Sequence, residues 1–87
     1  MEILFTNRFR KDYKGLSPQV QKTVKEKIVL LQNNPMHPLL RTKKIKGSKD
    51  DIFESSINMG IRITWQYLNQ DILLRAIGEH DITLKHH

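Results

Sequence analysis

Eighty-seven residues make a single domain, residues 1–87, and leave nothing to fill a second core. The absence of cysteine excludes a disulfide framework, a thiolate nucleophile and a cysteine zinc site, and no apolar run approaches the roughly 18 residues a membrane span needs. Fifteen Lys and Arg against nine Asp and Glu give a net charge of +6, which points to a polyanion or an acidic protein as partner.

In chain order, Met1 to Thr6 is a short β-type run that closes at polar Asn7. Phe9, Tyr13 and Leu16 then recur at helical spacing among Arg8, Arg10, Lys11, Asp12 and Lys14, which predicts a short amphipathic helix ending near Gly15. Ser17-Pro18 restarts the chain, with serine as N-cap and proline in the first helical position. Val20, Val24, Ile28 and Leu31 form one apolar stripe before Asn33-Asn34-Pro35 stops the helix. The two helices therefore form a hairpin with one apolar side.

Residues 35–50 are the least regular and most basic segment. Arg41, Lys43, Lys44, Lys46 and Lys49 lie there without an intervening acidic residue, and two prolines and a glycine mark a long connector. Such a run is either a solvated loop or a surface for a polyanion.

Three antiparallel strands follow. A turn at Asn58-Met59-Gly60 would pair Ile57 with Ile61 and Ser56 with Arg62. A turn at Asn69-Gln70 would pair Tyr67 with Ile72, Trp65 with Leu74 and Ile63 with Ala76. The large apolar residues then face the helices, and Glu54, Ser56, Arg62, Thr64, Gln66, Leu73, Arg75 and Ile77 collect on an open face. The predicted fold class is α+β: an N-terminal strand, a two-helix hairpin and an antiparallel three-stranded meander, giving a four-stranded sheet with helices on one face.

Arg62 sits mid-strand on that open face, with Arg75 one strand over on the diagonal. Two guanidiniums so placed would bind a phosphate bidentately and stabilise the charge of a phosphorane-like transition state. The alternative is an arginine ion-paired to Glu54 or Glu79. A free histidine side chain ordinarily titrates near neutrality, so His80, just past the last strand, could act as general acid or base toward a ribose 2′-hydroxyl or a leaving oxygen, with Asp81 orienting it. Its alternative is a structural histidine at a strand end. His37 in the connector is a weaker candidate, and His86 and His87 at the chain end are given no role. No metal is expected, because no further ligands stand at sensible spacing, and no glycine-rich loop suggests a cofactor.

Phe9-Arg10-Lys11-Asp12-Tyr13-Lys14-Gly15-Leu16, Ile45-Lys46-Gly47, Ile52-Phe53-Glu54, Ile61-Arg62-Ile63 and Ile77-Gly78-Glu79-His80-Asp81 follow one another in this order. Through them, and over nearly its whole length, the chain resembles the RelE/ParE superfamily of toxins of type II toxin–antitoxin systems. The resemblance implies one of two activities. RelE-like members are mRNA endonucleases acting at the ribosome, where the 2′-hydroxyl attacks the adjacent phosphate. ParE-like members are non-nuclease inhibitors of DNA gyrase. By the first, Arg62 would hold the scissile phosphate and His80 would be general acid or base. Lys43, Lys44 and Lys46, with Arg75, would grip RNA. Glu54 stands where RelE-like chains often carry a basic residue, and its carboxylate could serve as general base. Asp81 and Leu84 stand where many carry an aromatic residue. Implied partners are a cognate antitoxin, the ribosome and mRNA, with DNA reached only through the antitoxin complex. A homologue that has lost activity and only binds its antitoxin is the third possibility. With no basic-then-apolar leader at the N-terminus, the expected compartment is the cytoplasm.

Overall fold

The computed structural model describes residues 1–47 and 49–79. Its elements are β1 (Ile3–Phe5), α1 (Asn7–Lys14), α2 (Pro18–Asn33), a 3-10 turn (Pro38–Leu40), β2 (Lys43–Lys44), β3 (Ile52–Ser56), β4 (Ile61–Leu68) and β5 (Asp71–Glu79). Both helices start on the signals in the sequence. The Thr6 hydroxyl accepts the Phe9 N–H at 3.0 Å, and the Ser17 hydroxyl accepts the Val20 N–H at 3.3 Å, with Pro18 in the first turn. The Gln21 side-chain amide donates to the Tyr13 carbonyl at 2.9 Å and ties the two helices together.

The sheet has five strands in the order β1-β5-β4-β3-β2, where the sequence pattern predicts four. The addition is β2, inside the segment expected to be irregular, where Lys43 pairs with Glu54 and Lys44 with Phe53. Two adjacent lysines show no alternation, so only the neighbouring strand reveals the pairing. A two-residue, lysine-bearing edge also guards the sheet against pairing with another chain. β1 lies parallel to β5, placing Ile3, Leu4 and Phe5 opposite Ile72, Leu73 and Leu74.

The β4–β5 hairpin departs from the predicted register. Tyr67 faces Ile72 and Trp65 faces Leu74 as expected, but Thr64 faces Ala76 and Ile63 faces Ile77. Arg75 is thus an extra residue in a β-bulge, and everything beyond it changes face. Ile77, predicted on the open face, belongs to the core instead.

β1 covers Ile72 to Leu74 on the outer edge of β5, and Asp12 of α1 and its N-cap Thr6 bond further groups along it. The Thr6 N–H donates to the Leu74 carbonyl at 3.1 Å, its hydroxyl to the Arg75 carbonyl at 2.7 Å, and Asp12 Oδ2 accepts the Ile77 N–H at 3.0 Å. Asp12→Ala would strand that amide. The expected loss is about 1–2 kcal/mol in urea denaturation, with Asp12→Asn costing less because an acceptor oxygen remains.

Trp65 lies at the core with no exposure, stacked at 4.7 Å on Phe53 and edge-on to Tyr67. Its indole N–H donates to Ser55 Oγ at 2.8 Å. Ser55 Oγ lies 2.7 Å from Thr42 Oγ1, which itself donates to the Pro35 carbonyl at 2.7 Å. Thr42 has one proton and gives it to Pro35, so Ser55 must be the donor to Thr42. This relay runs from indole to hydroxyl to hydroxyl to carbonyl, and it fastens the basic connector to the centre of the core.

Candidate nucleic-acid interface

Paired residues in adjacent strands share a face, so the ladder places Lys43, Glu54, Ser56, Thr64, Arg62 and Gly78 on the side away from the helices. That side is less open than the alternation predicts. Glu54 is 1% exposed, and Thr64 and Ala76 are fully buried. Two cations converge on the carboxylate: Arg62 Nε lies 3.8 Å and Lys43 Nζ 3.9 Å from the same oxygen, Oε1. Both distances are those of ion pairs, longer than a direct hydrogen bond. The ion pair between Arg62 and Glu54, weighed in the sequence as the alternative to a phosphate role, is present.

Arg62 is also folded back on its own turn. Nη1 donates to the carbonyls of Asn58 at 2.6 Å, Met59 at 3.2 Å and Ile61 at 3.2 Å. Among the described residues Nη2 meets no acceptor, so part of the guanidinium remains available to an anion. The turn that receives Arg62 is itself firmly held. Asn58 Oδ1 accepts the N–H groups of Gly60 and Ile61 at 2.9 and 2.8 Å, and Ser56 Oγ donates to the Asn58 carbonyl at 3.0 Å. These bonds form because asparagine closes a turn onto the backbone two and three residues ahead.

The register on which the predicted two-arginine diagonal rests is shifted by one residue. The bulge sets Arg62 opposite Gly78 instead of Ile77, one residue further from Arg75. Arg75 donates to Gln66 Oε1, two positions along β4 from Thr64. Lys43 joins Arg62 at Glu54, whereas Lys44 pairs with Asp51 at 2.8 Å across the β2–β3 loop. Lys46 stands exposed in that loop, beside Gly47, whose φ of 80° favours glycine. Lys44, Ile45, Lys46, Gly47 and Asp51 line a depression of about 420 Å³. His37 accepts the Leu39 N–H on Nδ1 at 3.1 Å and so caps the 3-10 turn. His80 and Asp81 lie outside the described residues.

Two features of this site escape sequence reasoning. Thr64 Oγ1 is buried without a hydrogen-bond partner among the described residues, opposite Glu54 in the ladder. Alternation alone assigns it to solvent. The turn carbonyls that hold Arg62 carry no side-chain signal; only the Asn-x-Gly pattern hints at a tight turn there.

No protein-family model matches the chain, and no curated protein sequence matches it significantly. Solved structures do match. A YoeB/ParE toxin from Agrobacterium tumefaciens superposes with a TM-score of 0.77 at 15% identity, covering 92% of this chain and 99% of the other. The RelE–RelB complex of Pyrococcus horikoshii OT3 gives 0.75 at 13% identity, over 90% and 92% of the two chains. YafQ from E. coli gives 0.74 at 17% identity, over 94% and 96%. At these identities the shared property is the arrangement of helices and strands, and it spans nearly the full length of both partners in each comparison. The chain has the fold of the RelE/ParE-type toxins.

Proposed function

We propose that this protein is the toxin of a toxin–antitoxin pair and that it cleaves mRNA on the ribosome. The observation that carries this reading is the cluster of Arg62, Glu54 and Lys43 on one sheet face of a toxin fold, an anion-binding guanidinium beside a buried carboxylate. In the proposed reaction Glu54 takes the proton of the ribose 2′-hydroxyl, and O2′ attacks the adjacent phosphorus. The bond from phosphorus to O5′ breaks, and the leaving oxygen takes a proton from His80. The products are a 2′,3′-cyclic phosphate and a 5′-hydroxyl. Arg62 neutralises the extra charge on phosphorus. Arg62 and Lys43 shield Glu54, so Arg62 has to swing from the carboxylate to the phosphate before the base is exposed. No metal or organic cofactor takes part in the proposed step.

Lys43, Lys44, Lys46 and Arg75 supply sequence-independent contacts to RNA. Removing two of them at exposed positions, Lys44→Gln with Lys46→Gln, is expected to flatten the plot of log affinity against log salt by roughly 1.4. A filter-binding titration at several salt concentrations measures this. The archaeal RelE structure is a complex with RelB, and a small antitoxin protein is the corresponding partner proposed here. DNA would be reached only through that complex. No helix among the described residues is long and apolar enough to cross a membrane. Ribosome-bound mRNA as the proposed substrate puts the site of action in the cytoplasm.

One observation favours a second reading. Arg62 already serves a carboxylate and three turn carbonyls, a set of bonds that a purely structural arginine would make. A ParE-like inhibitor of gyrase, or a homologue that only binds its antitoxin, would need nothing more of it. Mapping mRNA 5′ ends after brief induction separates the three. New ends inside coding regions, in register with codons, support the nuclease. Growth arrest without new ends sinks it and turns attention to gyrase; no arrest at all leaves the antitoxin-binding homologue.

A further inference from the structure

Met59 is 97% exposed, at the tip of the β3–β4 turn. A scattered apolar residue on a surface needs no explanation, and a loose loop would supply one. Here the loop is tight. Its backbone is held by the two bonds to Asn58 Oδ1, by Ser56 Oγ on the Asn58 carbonyl, and by the Ile57 N–H on the Ile61 carbonyl at 2.9 Å. Arg62 itself closes the turn, and its Nη1 lies 3.2 Å from the carbonyl of Met59. Gly60, the next residue, adds no bulk: a Cβ built there would meet nothing within 4 Å. A rigid turn thus presents one unbranched, polarisable thioether to solvent, three residues before the guanidinium assigned to phosphate, which bonds the carbonyl of that same methionine.

We infer that the Asn58-Met59-Gly60 turn is a nucleobase subsite, in which Met59 lies against the base next to the phosphate held by Arg62. The inference rests on the ribonuclease reading for the identity of its ligand. The chemistry favours a base over other groups. A thioether is soft and packs against an aromatic ring or its edge, with no hydrogen bonding that would select among bases strongly. A phosphate gains nothing from it, and a ribose little. A nucleotide whose phosphate sits on Arg62 carries its base within a bounded reach of that point, so a rigid apolar contact there favours one register of the strand and large, polarisable rings. The contact also excludes water from one side of the Arg62–phosphate pair, which strengthens it.

The chain has three methionines, Met1, Met36 and Met59, and this makes the subsite measurable without relying on activity. The protein is oxidised with dilute hydrogen peroxide, with and without a saturating single-stranded oligonucleotide in 2′-deoxy form, which lacks the attacking hydroxyl. Sulfoxide at each methionine is read by mass spectrometry. Met1 precedes β1, at the opposite edge of the sheet from β2, and serves as the internal reference. Met59 is expected to oxidise more slowly with the oligonucleotide, Met1 at an unchanged rate, and the protection of Met59 to vanish in Arg62→Ala. Met59→Ala is expected to weaken binding of the same oligonucleotide about two- to tenfold. If the oligonucleotide binds while Met59 oxidises at its free rate, or if Met59→Ala binds as tightly as the wild type, the subsite is overturned and the ribonuclease reading stands. If the wild type does not bind the oligonucleotide at low salt, the subsite falls too. Codon-register mRNA ends then decide the ribonuclease reading separately.

Discussion

Arg62→Ala is expected to slow cleavage of ribosome-bound mRNA by about 10²–10³, the usual effect of removing one preorganised donor to a developing oxyanion. In the proposed step the guanidinium leaves Glu54 and offers a planar fork of donors to the phosphate, which the Lys43 ammonium beside it cannot do. Nε sits by Glu54 and Nη1 on three carbonyls, but Nη2 has no acceptor among the described residues. The turn does not depend on it alone, because Asn58 Oδ1 keeps the amides of Gly60 and Ile61. Glu54 keeps Lys43, but a carboxylate 1% exposed loses one of its two cations, so folding should suffer by about 3 kcal/mol, and a thermal melt run beside the kinetics separates the two effects. Arg62→Lys should fall between, since a point charge cannot fork across two phosphate oxygens. A Arg62→Ala protein that folds and cleaves at the wild-type rate would remove Arg62 from the chemistry and leave it a turn-capping residue.

A large stability loss, at a residue with no direct part in the chemistry, is expected for Ser55→Ala. Ser55 Oγ accepts from the buried Trp65 indole and donates to Thr42, and its removal leaves the indole N–H without a partner in a site with no water access. An orphaned buried donor costs about 1–3 kcal/mol, which in a domain of this size lowers Tm by roughly 4–8 °C per kcal/mol. Thr42 is spared, because its own proton still goes to Pro35. The double change Ser55→Ala with Trp65→Phe removes donor and acceptor together. Its cost in excess of Trp65→Phe alone should be well below that of the single serine change, and the difference is a coupling energy read from a double-mutant cycle. Additive losses would mean that the indole bond contributes nothing. Thr42 immediately precedes Lys43, so the same relay also sets where the basic edge strand begins. Weaker RNA binding in Ser55→Ala at temperatures where the protein remains folded would show that the core positions the lysines.

Much of this was legible in the residues. Ser17-Pro18 and Asn33-Asn34-Pro35 bounded the second helix, Phe9 and Tyr13 gave the first its buried side, and Asn58-Met59-Gly60 set the β3–β4 register through Ser56 and Arg62. These are local rules, in which a cap, a turn or a period of 3.6 or 2 acts within a few neighbours. The pairing of Tyr67 with Ile72 and Trp65 with Leu74 followed from the same reasoning. It failed one step later, at Arg75, because a bulge inserts a residue without changing composition or pattern.

What the sequence by itself determined is the α+β order, the two helices and their apolar sides, the basic connector, and the presence of Arg62 and Glu54 on one face of adjacent strands. Their contact, the turning of Arg75 toward Gln66, the burial of Ile77 and the pairing of Lys43 with Glu54 were decided only in the tertiary structure. The physical reason is the same in each case. Side-chain direction along a strand is a property of the chain, whereas register, edge pairing and the company a charge keeps depend on residues distant in sequence, which compete for the same hydrogen bonds and the same buried space.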